Sequence, residues 1–300
     1  MEKIIDKLNK IENLIVEKNV PLKKYTTFQV GGPADIFLTP QNEKSLINLT
    51  KLIQNFNKPY FILGKGSNII VGDKGYRGII IYTGNLDNTI VTGQNIKAQS
   101  GATLKDIADI ALEASLTGLE FASGIPGSLG GAVYMNAGAY GGEMSDVIHQ
   151  VSAIDKNGQR IIFKKEELNL SYRNSIFQDN NYIILDALLN LQEGIQDQIK
   201  AKMNKLNRKR KNKQPLEYPS AGSSFKRPEG HYTGPLIEKA NMKGHQIGGA
   251  QVSEKHAGFI INKDNATAKD IVKLIQKVQD EVYKISGVKL KPEPKFLGKF

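Results

Sequence analysis

Two glycine-rich stretches hold the residues best suited to chemistry in this 300-residue chain. The longer runs from 119 to 142, LEFASGIPGSLGGAVYMNAGAYGG, and contains Gly124, Gly127, Gly130, Gly131, Gly138, Gly141 and Gly142. Without a Cβ, such positions reach φ > 0 and let backbone come close to a ligand. Successive N–H groups freed in this way form a concave nest for an anion. Glu120 opens the stretch and no Lys or Arg lies inside it. A phosphate held here would therefore be held by amides and a helix start, not by cationic side chains. The interleaved Ile125, Pro126, Leu129, Val133, Tyr134 and Met135 carry too much apolar surface for a flexible linker. The shorter stretch, Gly64-Lys65-Gly66-Ser67-Asn68, is followed by apolar Ile69-Ile70-Val71. It opens as G-x-G, but Ile69 stands where a dinucleotide fingerprint has its third glycine, and no helix follows. No G-K-[ST] of a P-loop occurs. The pattern argues against a Rossmann or P-loop domain.

The elements that must position these loops read as α+β. Ile4, Leu8, Ile11 and Ile15 predict an amphipathic helix over 3–17. A strand at 34–38, a helix at 43–56 capped by Asn42, and a strand at 59–63 make a βαβ unit. Short strands follow at 79–82, 89–92 and 96–100. Thr103 and Asp106 predict a capping box for a helix at 104–114 that Gly118 stops. Asn157-Gly158 joins strands 149–155 and 159–163 in a hairpin, and a buried strand spans 182–191. Thr267 caps a last helix, 268–285, ended by Gly287, and strands follow at 288–290 and 295–297. Domain boundaries fall near 82 and 196.

The chain has no cysteine, which excludes disulfides, thiolate metal sites and a Cys nucleophile. His149, His231, His245 and His256 are scattered without ligand spacing, so no metal site is expected. The first eighteen residues are charged throughout and no long apolar run follows, which predicts a soluble, cytoplasmic protein without membrane contact. Most of the net charge of +11 lies between Ile199 and Lys213, in Lys200, Lys202, Lys205, Arg208, Lys209, Arg210, Lys211 and Lys213, with no acid among them. Such a run is a solvated helix face or a nucleic-acid contact. The second option leaves both glycine loops unexplained, and no nucleic-acid partner is expected.

Six stretches, in order along nearly the whole chain, resemble one family: YTTFQVGGPADIF (25–37), LGKGSNIIV (63–71), SGIPGSLGGAVYMNAGAYGGE (123–143), LSYRNSIF (170–177), SAGSSFKRP (220–228) and LKPEPKFLG (290–298). The family is the flavoenzyme UDP-N-acetylenolpyruvoylglucosamine reductase, MurB. The resemblance implies an α+β chain with the FAD-binding fold of the vanillyl-alcohol oxidase / p-cresol methylhydroxylase type. That fold would comprise two subdomains, 1–82 and 83–195, followed by a UDP-sugar domain over 196–300. It implies non-covalent FAD on Gly64, Lys65, Gly66, Ser67, Asn68, Gly101, Gly124, Ile125, Pro126, Gly127, Ser128, Gly130, Gly131, Asn136 and Gly138. It also implies NADPH as hydride donor and UDP-N-acetylglucosamine enolpyruvate as substrate, in peptidoglycan precursor synthesis, by a monomer. The rival within the same fold is another FAD oxidoreductase with covalently attached flavin; the absence of cysteine, and of histidine in the glycine loops, speaks against it.

In that family reduced FAD gives hydride to the vinyl carbon, and negative charge builds at the neighbouring carbon and its carboxylate. Arg173 matches the arginine that stabilises this charge, a task suited to a permanently charged fork of donors. Ser223 matches the serine that protonates the carbanion, with Ser224 its local rival. Glu293 matches a glutamate that works protonated. Pro294 and Lys295 depart from the Val and Arg expected after it. Tyr172, Lys213, Arg227 and Gln251 match substrate contacts, and the rest of the basic helix is left to solvent. The interval from Arg173 to Ser223 lacks the inserted loop and substrate-covering tyrosine of the longer subclass, so the chain looks like the shorter, type II form.

Overall fold

The computed structural model describes residues 2–300. It resolves the chain into two compact units, neither of which is one continuous stretch. The first takes the chain up to Lys18, then Ile36–Lys65 and Gly78–Lys209. The second takes Asn19–Asp35, Gly66–Arg77 and Arg210–Phe300.

The first unit is built on a five-stranded antiparallel sheet. Its order is Arg160–Lys164, Ile148–Ile154, Ile183–Asn190, Asn95–Gln99, Thr89–Thr92. Val151 pairs with Phe163 on one side and Ala187 on the other, and Ala187 pairs with Ala98. Alternate residues of these strands face one core, where they meet Ile107, Ala108 and Ala111 and then Leu129, Ala132 and Val133. A second core of this unit gathers Ile36, Leu38, Ile79 and Ile81 with Leu46, Leu49 and Ile53. The four-stranded sheet runs in the order Leu14–Pro21, Pro33–Pro40, Tyr76–Tyr82, Tyr60–Leu63, and its last pair is parallel. The Tyr76–Tyr82 strand thus lies between the two strands of the expected βαβ unit.

The helices are α1 (Glu2–Leu8), α2 (Glu43–Ile53), α3 (Leu104–Glu113), α4 (Leu129–Met135), a single turn α5 (Met144–Val147), α6 (Gln196–Lys213), α7 (Thr233–Lys239) and α8 (Ala268–Ser286). Asn42 caps α2 as predicted, accepting from the Ser45 N–H while Ser45 Oγ reaches back to the Asn42 N–H. Gly158, at φ 72°, closes the predicted hairpin, and the Asp155 carboxylate accepts from the Asn157 and Gln159 N–H groups.

Three local expectations change. The N-terminal helix ends at Leu8; Asn13 turns left-handed (φ 57°) and Leu14–Pro21 is a strand. Leu14 and Val16 pack on the core while Ile15 is 47% exposed, so period-two burial prevails over a coincidental helical spacing of Ile11 and Ile15. Helix α3 ends before Ser115, which takes the left-handed position assigned to Gly118. Its Thr103 hydroxyl accepts from the Asp106 N–H as expected, but the Asp106 carboxylate receives the Thr103 hydroxyl rather than its N–H. Residues 288–290 are irregular; the Leu290 carbonyl accepts from Gln279 Nε2 instead of a strand partner.

In the second unit, α8 buries Ile271, Leu274, Ile275, Val278 and Val282. These meet Ala250, Val252 and Ile260 of the antiparallel sheet Gln246–Ile247, Ala250–Val252, Ile260–Asn262. Helix α8 starts with a full Thr267–Asp270 capping box and ends at Gly287 with φ 70°, as the sequence predicts. Asp73 adds its carboxylate to the N–H groups of Ala268 and Lys269, where a negative charge meets the positive end of the helix. Ile69–Val71 pairs in parallel with Lys295–Leu297. Among the described residues no helix is long and apolar enough to cross a membrane.

Candidate active site

In the first unit the long glycine stretch is stitched to the segment 100–104 by main-chain bonds. The Gly130 N–H donates to the Ser100 carbonyl (2.8 Å), the Leu129 N–H to Ala102 (2.8 Å) and the Leu104 N–H to Gly127 (3.0 Å). Gly101 lies within the same lacing; a Cβ there would meet the Thr83 carbonyl at 2.1 Å. The start of the stretch is clasped by the buried Glu120. Its carboxylate accepts from the Thr117 hydroxyl, the Gly118 N–H and Lys202 Nζ of α6, and these partners hold it below the usual carboxylate range against the opposing effect of burial. Burial is the largest single influence, yet the donors together prevail.

Ser100 and Ser128 are each 98% buried, and both hydroxyls lack a hydrogen-bond partner. A buried hydroxyl left unpaired costs about 1–3 kcal/mol. Gly64 sits against one of them: a Cβ there would lie 2.2 Å from Ser128 Oγ. Gly130 likewise faces Ser100, with 2.9 Å from its would-be Cβ to Ser100 Cβ. Each unpaired hydroxyl keeps a donor to offer a ligand oxygen. Ser128 was among the residues expected here. Ser100 was not; only its place before Gly101 marks it in sequence, and that signal is too common to use. The resemblance implies that Ser128 meets FAD; on that expectation Gly64→Ala displaces its hydroxyl and weakens FAD retention by the loss of one hydrogen bond to a charged group, about 1.5–3 kcal/mol, or ~10- to 150-fold. Titration of apoprotein with FAD measures this, and parental affinity would remove Ser128 from the cofactor site.

Asn136 ends α4 in the left-handed conformation (φ 42°) and is fully buried. Its Nδ2 donates to the Ser171 carbonyl (3.2 Å) and its Oδ1 accepts from the Ser145 N–H (2.9 Å), so it ties the glycine stretch to the loop that carries Arg173. Ser175 Oγ and Gln178 Nε2 both donate to the Tyr134 carbonyl, and Gln178 Nε2 also reaches the Arg173 carbonyl. Within this frame Ser171 and Asn174 exchange main-chain bonds across a tight turn with Tyr172 and Arg173 at its tip. Arg173 has φ 55°, a conformation a side chain with a Cβ adopts at about 1–2 kcal/mol. Its guanidinium stacks 5.0 Å from the Tyr172 ring centroid.

In the second unit Ser223 follows Gly222, whose φ of 73° turns the chain. Ser224 is buried, with its N–H on the Gly258 carbonyl (2.8 Å) and its Oγ accepting from the Ile260 N–H (2.7 Å). The Ser224 carbonyl in turn accepts from the Glu293 N–H (3.1 Å), and Phe225 bridges Pro292. Asn68 receives the Lys295 N–H on its carbonyl and donates Nδ2 to the Glu293 carbonyl. Pro294 falls between two donating residues, at a position where no N–H is needed. The fold therefore sets Ser223 and Glu293 on adjoining segments of one unit, with Gly66, Ser67 and Asn68 in that unit, and Arg173 in the other. The Ser224 hydroxyl is a structural one: Ser224→Ala leaves the buried Ile260 N–H unpaired and should lower unfolding free energy by about 1–3 kcal/mol, read by denaturant titration.

Arg227 is exposed, donates Nε to the His231 carbonyl and stacks over Tyr232. Gln251 lies in the central strand of the small sheet and donates to the Gly244 carbonyl. Lys213 is the exposed last residue of α6. The assignment of the rest of this helix to solvent fails at Ile199, Met203 and Arg210, which are buried. Among the described residues no three His, Asp or Glu side chains gather to hold a metal ion.

Residues 34–164 match the FAD binding domain family, and residues 214–297 match the C-terminal domain family of UDP-N-acetylenolpyruvoylglucosamine reductase. A reductase of that name from Caldanaerobacter subterraneus subsp. tengcongensis is 50% identical over 298 residues, covering 99% of both chains. One from Clostridium novyi is 49% identical, over 99% of this chain and 98% of its own. This chain belongs to the UDP-N-acetylenolpyruvoylglucosamine reductase family. The crystal structure of the reductase MurB from Thermus caldophilus superposes with a TM-score of 0.83 at 35% identity, over 95% of this chain and 99% of that one. A berberine bridge enzyme variant shares the fold alone, at 15% identity and TM-score 0.50 over 64% of this chain and 44% of its own. The fold is the α+β FAD-binding fold of the vanillyl-alcohol oxidase type, and FAD is the cofactor of the family. The unpaired Ser100 and Ser128 hydroxyls beside Gly130 and Gly64 fit its oxygen-rich diphosphate.

Proposed function

We propose that this chain is an FAD- and NADPH-dependent UDP-N-acetylmuramate dehydrogenase that reduces UDP-N-acetylglucosamine enolpyruvate in peptidoglycan precursor synthesis. The observation that carries the reading is 50% identity along 99% of the chain to a reductase of this name, so that the glycine loops and the Arg173, Ser223 and Glu293 segments all lie inside the match. When bound, FAD carries an electron pair from NADPH to the enolpyruvyl double bond.

The chain's own residues do the rest. Gly64, Lys65, Gly66, Ser67, Asn68, Gly101, Gly124, Ile125, Pro126, Gly127, Ser128, Gly130, Gly131, Asn136 and Gly138 hold the non-covalent cofactor. Arg173 takes the negative charge that develops on the substrate carboxylate, aided by Tyr172 beneath its guanidinium. The Ser223 hydroxyl gives its proton to the carbon next to that carboxylate. Such a weak acid suits only a strongly basic acceptor. Glu293, as a neutral acid, donates a hydrogen bond to the same developing enol. Lys213, Arg227 and Gln251 contact the UDP-sugar. The short interval between Arg173 and Ser223 supports membership of the type II subclass. We also assign it a monomeric state, the cytoplasm, two FAD-binding subdomains at 1–82 and 83–195, and a UDP-sugar domain at 196–300.

The test is anaerobic. NADPH bleaches the flavin; adding UDP-N-acetylglucosamine enolpyruvate then restores the oxidised spectrum with one UDP-N-acetylmuramate formed per flavin. A flavin that stays reduced overturns the proposed substrate.

A further inference from the structure

His256 is the group outside the proposed machinery that is most firmly built into it. Its imidazole is half-buried and meets the Phe259 ring edge-to-face at 5.0 Å. Its Nδ1 accepts a hydrogen bond from the Gly258 N–H, 3.1 Å away. An Nδ1 that accepts carries no proton, so the ring is the neutral Nε2–H tautomer. The loop around it is tight. Ser253 Oγ accepts from the Lys255 and His256 N–H groups, the Phe259 N–H returns to the His256 carbonyl, and a Cβ at Gly258 would lie 3.0 Å from His256 Cε1.

Gly258 is also the residue that fixes the serine segment. Its carbonyl accepts the Ser224 N–H; Ser224 Oγ accepts the Ile260 N–H; the Ser224 carbonyl accepts the Glu293 N–H. Hydrogen bonds joined through the main chain of Gly258 and Ser224 therefore link the imidazole to the backbone of Glu293, with Ser223 next to the Ser224 link. We propose that His256, as a neutral Nδ1 acceptor, is a positioning residue that sets Ser223 and Glu293 at once. This rests on the roles assigned above to those two residues.

Protonation at Nδ1 would turn the acceptor into a donor aimed at the Gly258 N–H and open the path at its first link. Burial, with the positive charges of Lys213 at the end of α6 and Lys243 after α7, pushes the imidazole below its ordinary value; a hydrogen bond to its own backbone carbonyl and Glu238 of α7 oppose this. Glu254 and Lys255 precede it in the chain. A histidine with a folded value below its unfolded one favours folding fully above about pH 6.5. That contribution fades as pH falls from there through the lower, folded value.

Three variants separate the acceptor from the ring. Asn at 256 offers Oδ1 two bonds from Cβ, where Nδ1 stands, and closes the same turn. Gln sets its acceptor one bond farther out. Phe keeps the ring against Phe259 and has no acceptor. The measurements are rapid-reaction flavin reduction by NADPH, flavin reoxidation by UDP-N-acetylglucosamine enolpyruvate, and thermal midpoint. Expected is parental flavin reduction in all three. Reoxidation should be within about threefold of parental in His256→Asn and about 100-fold slower in His256→Phe, the cost of a shift of order 1 Å in a reacting group. The acid limb of the reoxidation profile should vanish in His256→Asn. The ¹⁵N spectrum of the histidine-labelled parent should show an unprotonated Nδ1 resonance that His256→Asn deletes. Parental reoxidation in His256→Phe overturns the proposal, as do equal losses in Asn and Phe or a protonated Nδ1. Should the Phe protein not fold, His256→Gln, whose acceptor stands one bond too far out for the Gly258 N–H, is expected to show the same slowing of reoxidation, about 100-fold, and parental reoxidation there overturns the proposal. Ser223→Ala is run alongside. If it reoxidises normally, the serine assignment fails; if it is slow while His256→Phe is normal, only the positioning role fails.

Discussion

Arg173→Lys lowers the rate of flavin reoxidation by the enolpyruvyl substrate by about 30- to 1000-fold, the loss of about 2–4 kcal/mol expected when a preorganised donor to a developing oxyanion is removed. Lysine keeps the charge but loses the planar fork and its seat on Tyr172. The turn geometry supplies a sharper companion. At φ 55° arginine holds the left-handed position at about 1–2 kcal/mol. Glycine there relieves that strain, and offsets the relief by its own unfolded-state entropy, about 0.5–1 kcal/mol, and by the lost stacking, about 0.5–1 kcal/mol. Arg173→Gly should therefore melt close to the parent while its reoxidation rate collapses. An active Arg173→Gly protein, or one that melts far below the parent, would mean that the arginine serves the turn and not the substrate.

Ser223→Ala carries the second large effect. NADPH still bleaches the flavin at the parental rate, because no proton from Ser223 enters that half. Reoxidation by the substrate slows by about 10²- to 10⁴-fold, the usual contribution of a positioned general acid, and solvent deuterium at the carbon next to the product carboxylate falls in step. Parental reoxidation with full labelling would assign the proton to another donor. The neighbouring hydroxyl gives the control: the Ser224 oxygen accepts from the Ile260 N–H, so its removal registers as lost stability and not as a separate loss in one half-reaction.

What the sequence made readable follows from local physics. Asn42, Thr267 and Gly287 announce helix ends because caps act within three or four residues. Asn157-Gly158 announces the hairpin for the same reason. The N-terminal strand was hidden because Ile11 and Ile15 happen to share helical spacing, and only packing against the core at Leu14 and Val16 reveals period two. Glycine loops show in composition where a ligand approaches backbone, yet the unpaired hydroxyl of Ser100 depends on what Gly130 and Ala102 do around it. The links from Gly258 to Ser224 and on to Glu293 join residues far apart in the chain by main-chain atoms, which leave no mark on residue type. Neither do the limits of the two units, because the chain passes from one to the other repeatedly and no linker composition accompanies the crossings.

The parallel pairing of Ile69–Val71 with Lys295–Leu297 has a consequence for how the protein is made. The Asn68–Glu293 hydrogen bond beside it spans 225 positions, so the early strand leaves the ribosome long before its partner exists. During translation Ile69–Val71 presents an apolar edge with open main-chain groups, the kind of surface that recruits chaperones or seeds aggregates. Maturation of the second unit is thereby deferred until after residue 297 has been synthesised, and a truncation ahead of Lys295 would strand that edge for good.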